Sequence, residues 1–403
     1  MFVYVLETNT TGSGLDILRC NEGKCILVTS DIQKYRNDIS YSELHRENTI
    51  SFDTFNHMVD SSNWAGKEPM AIISNSDRRL ADAINYSTKL GLPCPNIGTL
   101  ASFMDKSEFR RSSESNGVPT PKYGIINDRY THQIQALAVN FPVVVKPNTG
   151  TGSIGVMLCY DSRELEYAVE QAFCYGASTG VLIEEYIEGP LYSLEVVFDI
   201  NKEYAILGIT NRELGPAPFF VETGYSFPVY LSGEYVESVI DQLLPLVPPN
   251  QSIMLHVEFI VDINSRKPIL VEVNPRVGGG MLSRMMSDSL GINVFEYYLK
   301  SWMQRIDCTG ISSSRTDKVT THFWKYPDRK GQVSILINGL KPLLSDFVIY
   351  YKVLVSEGDV VEVARDFNGP LCSVLIQSTS ITLNFDLKDY FRKSLDGAFT
   401  YDN

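Results

Sequence analysis

The stretch "ILVEVNPRVGGG", from Ile269 to Gly280, sets an acid, an amide and a base at alternate positions of an apolar run, then dissolves into three glycines. Side chains alternate faces along a strand, so Glu272, Asn274 and Arg276 are predicted to point one way and Val271, Val273 and Pro275 the other. Upstream, "HVEFIVD" (His256–Asp262) places Glu258 on a second strand. The turn-rich "INSRKP" between them predicts an antiparallel pair that brings Glu258 beside Glu272 and Asn274. Two carboxylates and an amide oxygen are hard ligands suited to Mg2+, which also takes phosphates and water. Two bare carboxylates side by side repel, which argues for a cation between them. Arg276, read on the same face, would hold an oxyanion or a phosphoryl group. The competing reading is a surface hairpin with its polar face in water; the apolar neighbours and the glycines weigh against it.

A second set of residues suits phosphate. "KPNTGTGSIGV" (Lys146–Val156) carries Gly150, Gly152 and Gly155 among Thr149, Thr151 and Ser153. Glycines let backbone N–H groups turn inward around anionic oxygens, and the hydroxyls add donors. Lys146, at the end of a buried-looking strand, supplies a point charge. The lysine precedes the glycines, so this is not the Walker order, and a flexible flap over a nucleotide fits better than a rigid cradle. A glycine-rich hairpin beside a solvated lysine is the alternative. "LIEEYIEG" brings Glu184 and Glu185 to the end of an apolar strand, where a carboxylate can accept from an adenine amino group and the Ile187 backbone can read the ring edge. A solvated strand end is the alternative there.

The elements that must position these groups can be read from the same pattern. "FVYVLE", "CILVTSD" and "MAIISNSD" are predicted strands, the last followed by a helix in "RRLADAINYSTKLG". Such alternation predicts a parallel, Rossmann-like α/β domain over residues 1–100. "DKSEFRRSSESNG" and the capping-box stretch "DSRELEYAVEQAFCYG" read as helices, the second ended by Gly176. Strand character dominates from Leu191 to Ile209, and the helical signal fades after Trp302, which leaves residues 320–403 as a small, mainly β part. The chain has 403 residues, a net charge of −13 and 44% apolar residues, the composition of a multi-domain globular protein. The acidic surface argues against nucleic acid and anionic lipid as partners. No apolar run is long enough to span a membrane, and "MFVYVLETNT" lacks a basic n-region, so no signal peptide is expected. Seven scattered cysteines without metal-ligand spacing suggest reduced thiols in a cytoplasmic protein.

Taken in order, "DKSEFR" with Lys106, "VVVKPNTGTGSIGV", "LIEEYIEG", "HVEF" and "EVNPR" resemble the motif set of the ATP-grasp superfamily over roughly residues 100–300. The resemblance implies ATP held between two α+β subdomains, here 101–190 with the flap and 191–319 with the metal and substrate site, after an N-terminal α/β domain and before a β-rich tail. It implies Lys106 and Lys146 on the phosphates, with Thr151, Ser153, Glu184, Glu185 and Ile187 also on the nucleotide. Glu258, Glu272 and Asn274 would hold Mg2+, with two ions expected and Mn2+ able to substitute. "PAPFFVETGYSFP" (Pro216–Pro228) is similar to a segment of the L-amino acid ligases, which places Glu222 and Tyr225 at an amino-acid site together with Arg276, Gly278 and Gly279. Tyr225 stands where that group often has histidine, and Leu191 where many relatives have a ribose-binding glutamate, so substrate preference and ribose contacts do not carry over.

The implied activity is ATP-dependent ligation. A carboxylate acylates poorly because oxide would have to leave; phosphorylation gives an acyl phosphate, which an amine then attacks with release of ADP and phosphate. Arg276 would steady the oxyanion and Glu222 would accept a hydrogen bond or proton from the amine, although no residue stands out as the sole base. The implied partners are small amino-acid and amine substrates and a second copy of the chain in a homodimer. Two other readings use the same motifs: a biotin-type carboxylase activating bicarbonate, and a non-catalytic nucleotide-binding protein.

Overall fold

The computed structural model describes residues 1–8, 14–35, 48–128, 140–176, 180–311, 316–366 and 369–402. Strands β1 (Phe2–Leu6), β2 (Cys25–Thr29), β3 (Thr49–Ser51) and β4 (Pro69–Ile73) form a parallel sheet in the order β3-β2-β1-β4. Residues of β2 are buried throughout, as expected where both faces of a parallel sheet are covered. Helix α1 (Phe52–Ser61) starts at Ser51, whose hydroxyl accepts from Thr54 N at 3.1 Å, and α2 (Leu80–Lys89) follows β4. Chain order reverses between β1 and β4, and ligands of such sheets bind outside the strand ends at that reversal. The chain leaving β4 there is Ser74–Asp77. The turn expected after β1 lies largely outside the described residues.

Two short helices lead into the next layer. Helix α3 (Ile97–Met104) is followed by α4 (Lys106–Ser115), where the Asp105 carboxylate caps by accepting from Glu108 N at 2.9 Å. Gly117, at φ +70°, turns the chain out of α4. Strands β5 (Tyr123–Ile126), β6 (Val143–Pro147), β7 (Met157–Cys159) and β8 (Val181–Glu185) make an antiparallel sheet ordered β5-β8-β6-β7. Helix α5 (Ser162–Gly176) packs on it through Leu165, Val169 and Phe173. Its start is sealed as the sequence predicts, with Glu164 N donating to Asp161 Oδ1 at 3.0 Å and Tyr160 N to Glu164 Oε2 at 2.7 Å.

The largest sheet is antiparallel and carries the site. Its first strands are β9 (Leu191–Phe198), β10 (Tyr204–Leu214) and β11 (Glu222–Phe227). After α6 (Gly233–Leu243) come β12 (Ile253–Val261) and β13 (Pro268–Asn274). Helices α7 (Leu282–Leu290) and α8 (Val294–Trp302) lead to β14 (Val319–Lys325). The tail supplies β15 (Gly331–Ile335), β16 (Val348–Val353), β17 (Val360–Val361), β18 (Cys372–Ser378), α9 (Ile381–Ser394) and β19 (Phe399–Asp402). Eight of these strands run in the order β13-β12-β9-β10-β11-β14-β18-β16, so the sheet continues across residue 320 into the tail. One face buries Leu194, Val196, Leu255, Val257 and Phe259 under α6. The other face meets α7, α8 and the N-terminal sheet through Tyr225, Phe227, Met285 and Val294. The tail is mainly β, as expected, with a helix, α9, that the sequence pattern does not reveal. Its buried stripe is Asn384, Lys388 and Phe391, and two polar residues on the inner face hide the helical period from a hydrophobicity reading. Among the described residues, no helix is long and apolar enough to cross a membrane.

Candidate active site

Strands β12 and β13 pair antiparallel with Glu258 opposite Glu272 and His256 opposite Asn274. A bulge follows Glu258, between it and Phe259. The two carboxylates are each offset by a cation: Arg212 Nη1 stands 3.2 Å from Glu258 Oε1, and Lys106 Nζ 3.5 Å from Glu272 Oε2. Asn274 Nδ2 donates to Glu272 Oε1 at 3.2 Å, which leaves the amide oxygen as its acceptor atom. Burial would raise the Glu258 carboxyl, but Arg212 and His256 outweigh it and hold it at about 2. Among the described residues, no three His, Cys, Asp or Glu side chains gather as a closed metal cage. What is present is two carboxylates and one amide oxygen on adjacent strands. That set fits a hard cation that takes its remaining ligands from phosphates and water.

Arg276 lies two residues beyond the strand, where the Glu272 carboxylate still acts on its guanidinium. Strand β13 ends at Asn274, and Arg276 N donates to Asn274 O at 2.8 Å as the chain turns. Its guanidinium forms a bidentate pair with Asp77, from the end of β4, with Nε and Nη2 at 2.5 and 2.7 Å from the carboxylate. Nη1 donates to Val277 O at 3.0 Å. A guanidinium has five N–H groups, so one on each terminal nitrogen is left for an anion. Alternation holds only while the strand lasts, so the turn and Asp77 set the position of Arg276.

Lys106 and Lys146 meet at the root of the glycine loop. Lys106 opens α4, and its Nζ donates to Gly150 O at 3.0 Å. Lys146, on β6, is buried and ion-paired with Glu184 of β8. Burial pulls the Lys146 ammonium down, against the pull of Glu184. Glu184 also pairs with Arg110 of α4, so both of its oxygens are engaged by cations rather than turned outward toward a ring. Arg110 goes on to donate to Leu270 O at 2.8 Å and Val271 O at 3.1 Å, which ties the small sheet to β13. Glu185 ends β8 half-buried, and Ile187, two residues on, has no backbone partner among the described residues. The loop itself takes positive φ at Gly150, Gly152, Ser153 and Gly155, with Thr151 exposed at its tip. Asn148 fixes its root: Oδ1 accepts from Ser107 N at 2.7 Å, and Nδ2 donates to Asp105 Oδ2 at 2.7 Å.

Glu222 begins β11 and is ion-paired with Arg212 of β10. Burial pushes the Glu222 carboxyl up, against the pull of Arg212. Arg212 therefore bridges Glu222 of β11 and Glu258 of β12. Its guanidinium also lies 5.5 Å from the Tyr225 ring centroid. Tyr225 is buried against His322 and Trp324, with its hydroxyl accepting from Met281 N, so it holds the glycine turn from beneath. A Cβ on Gly280 would overlap that hydroxyl, and one on Gly278 would sit 2.6 Å from His256 Nδ1, whereas Gly279 is exposed and open. His256 lies between Glu195 and Glu258; burial alone would lower its imidazole, and the two carboxylates outweigh that and raise it to about 9. Arg212, His256, Glu195, Asn148, Arg110 and Asp77 were not singled out by the sequence reading. His256 and Glu258 are two apart on one strand, so the period of two was the signal for that one. For the others, only the fold brings partners 10 to 199 residues away into reach.

Residues 139–284 match the ATP-grasp domain family. Over 221 residues the chain is 29% identical to the uncharacterized protein y4rH of Sinorhizobium fredii, covering 52% of this chain and 44% of that one. Over 109 residues it is 35% identical to a D-alanine–D-alanine ligase of Stutzerimonas stutzeri, covering 27% and 34%. The chain thus spans less than half the length of these curated relatives. The crystal structure of L-amino acid ligase from Bacillus licheniformis superposes with a TM-score of 0.80 at 19% identity, over 100% of this chain and 98% of that one. Over residues 139–284 the chain is thus similar to the ATP-grasp domain family, and in its fold it resembles the L-amino acid ligase from end to end.

Proposed function

We propose that the protein is an ATP-dependent carboxylate–amine ligase that activates an amino-acid carboxylate as an acyl phosphate and joins it to an amine, releasing ADP and phosphate. One observation carries this reading. Arg212 joins Glu222 to Glu258 on the large sheet, and Lys106 joins Glu272, opposite Glu258, to the glycine loop, so the carboxylates and the loop meet at one place. Its likeness to a D-alanine–D-alanine ligase and to the fold of an L-amino acid ligase supports the reaction class.

In this reading Glu258, Glu272 and Asn274 hold Mg2+, which offsets charge on the phosphates. Lys106 and Lys146 contact the phosphates, with Thr151 and Ser153 on the closing loop and the Ile187 backbone at the base. Glu184 acts from behind by fixing Lys146, and Glu185 lies at the strand end beside it. Glu222 receives the substrate ammonium or the attacking amine. The two spare N–H groups of Arg276, oriented by Asp77, face the acyl oxygens beside Gly278 and Gly279. The closed loop keeps water from the activated carboxylate. Substrates are small molecules, and the working unit is a homodimer.

The test is a phosphate-release screen of amino-acid and amine pairs with mass spectrometry of the product. ADP, phosphate and an amide in equal amounts are expected. Stoichiometric AMP during amide formation would rule out the acyl-phosphate route.

A further inference from the structure

We infer that His256, held by Glu195, is a positioning residue for the Glu258 carboxylate, and that Gly278 is what leaves the imidazole its place. This rests on the metal-site reading above. Three adjacent strands set the residues in two rows: Glu195, His256 and Asn274 face one another across β9, β12 and β13, and Ser193, Glu258 and Glu272 form the next row.

Glu195 is fully buried, its Oε1 is engaged by His256 Nδ1, and its Oε2 has no partner among the described residues. A buried carboxylate costs several kcal/mol unless it is paired, so an apolar side chain would serve a purely structural position better. What Glu195 accomplishes is to fix the ring. With Nδ1 bound to Glu195, Nε2 is turned to Glu258 Oε1 at 3.3 Å. Arg212 Nη1 reaches the same Oε1 at 3.2 Å. Both tethers therefore fall on one oxygen of Glu258, and Oε2, without a partner among the described residues, is the atom presented to a cation. A carboxylate held by one oxygen has a fixed rotamer and offers the other as a single ligand. Groups behind a metal ligand, when lost, typically weaken metal binding by 10–100-fold. Gly278 belongs to the device because a Cβ there would sit 2.6 Å from His256 Nδ1 and 2.5 Å from Leu282 Cδ2, with the ring on one side and α7 on the other.

The experiment uses the full chain with Mn2+ as probe, free Mn2+ being followed by electron paramagnetic resonance in the presence of ADP. ADP binding without metal is measured in parallel by calorimetry in EDTA. In Glu195→Gln, which keeps an acceptor but not the charge, and in His256→Gln, Mn2+ affinity is expected to fall by ~10–100-fold. Metal-free ADP binding should stay within about twofold, a split that general loosening of the fold would not give. Gly278→Ala should reproduce the Mn2+ defect, and it serves as the reading should either polar variant not fold. Unchanged Mn2+ affinity in folded variants would overturn the positioning role. A wild-type chain with no ADP-dependent Mn2+ site would instead overturn the metal assignment itself, and the inference with it.

Discussion

Glu184 shows how far a single carboxylate can be drawn from its ordinary behaviour. Burial works to raise it, but Arg110 and Lys146 together win and hold it at about 2. A carboxylate depressed in the fold stabilises fully above its unfolded value and loses that contribution as pH falls through the folded one. The window here runs from about 4.5 down to about 2, and the effect is on the order of 3 kcal/mol at neutral pH. Glu184→Gln should therefore destabilise the chain by about 3–5 kcal/mol at pH 7, because two buried cations lose their partner. The gap between variant and wild type in urea unfolding should narrow at pH 3; a gap that stays constant would show that the charge of Glu184 does not carry the effect. Glu222 invites a different measurement. Loss of one charged hydrogen bond is worth ~1.5–3 kcal/mol, so Glu222→Ala should raise the amino-acid KM about tenfold or more with the ATP KM nearly unchanged. A rise in the ATP KM alone would move Glu222 to the nucleotide. Tyr225 acts less directly than its neighbour, since its hydroxyl is committed to Met281 N and its ring lies beside Arg212. Tyr225→His should change which amino acids are accepted by letting the glycine turn shift, to be read from product profiles.

At the scale of elements, what was legible was what obeys a local period. The β12–β13 hairpin, with Glu258 opposite Glu272, followed from alternation and one turn-rich link, and α4 and α5 followed from their caps. Where the period stops, so does the reading. Strand β13 ends at Asn274, so the turn and Asp77, not alternation, set where Arg276 goes. Helix α9 went unseen because Asn384 and Lys388 occupy its buried stripe, where Lys388 pairs with Glu213 of β10. Asn148 was illegible for another reason: it sits inside the recognised loop, but its partners Asp105 and Ser107 belong to the start of α4. By joining those elements it sets where the loop springs from. Asn148→Ala should leave Ser107 N and Asp105 short of their partner and free the loop root. A several-fold rise in the ATP KM, with the amino-acid KM little changed, is expected. Equal rises in both would mean that Asn148 supports the fold at large.

For the molecule as a whole, the N-terminal sheet and the large antiparallel sheet share an apolar core, and the loop leaving β4 adds a cluster of polar contacts to it. Four contacts leave the end of β4: Asp77 pairs with Arg276, Asn75 Oδ1 accepts from Val277 N at 3.1 Å, Ser74 O accepts from Tyr298 at 2.6 Å, and Ser74 Oγ returns to Leu6 O at 2.7 Å. The first two fasten the "NPRVGGG" turn to the end of the parallel sheet where its strand order reverses, the third holds α8, and the fourth closes the loop back onto β1. Burial would raise Asp77, but the Arg276 charge outweighs it and holds the carboxyl below its ordinary range. A buried bidentate pair contributes little net stability against an apolar replacement, yet breaking it from one side is costly. Asp77→Asn alone should therefore lose about 3–5 kcal/mol in urea unfolding, because Arg276 is left charged and uncompensated. Arg276→Met alone should cost less than that, and the double variant should recover most of the loss, giving a coupling of about 1–3 kcal/mol in the cycle. Turnover should behave differently from stability. The double variant lacks the N–H groups proposed to face the acyl oxygens, so its kcat should stay at least ~100-fold low even as its stability returns. Additive stability losses within about 0.5 kcal/mol would show that the two residues do not act as one clamp. Recovery of kcat together with stability would show that Arg276 joins the two sheets and takes no part in the chemistry.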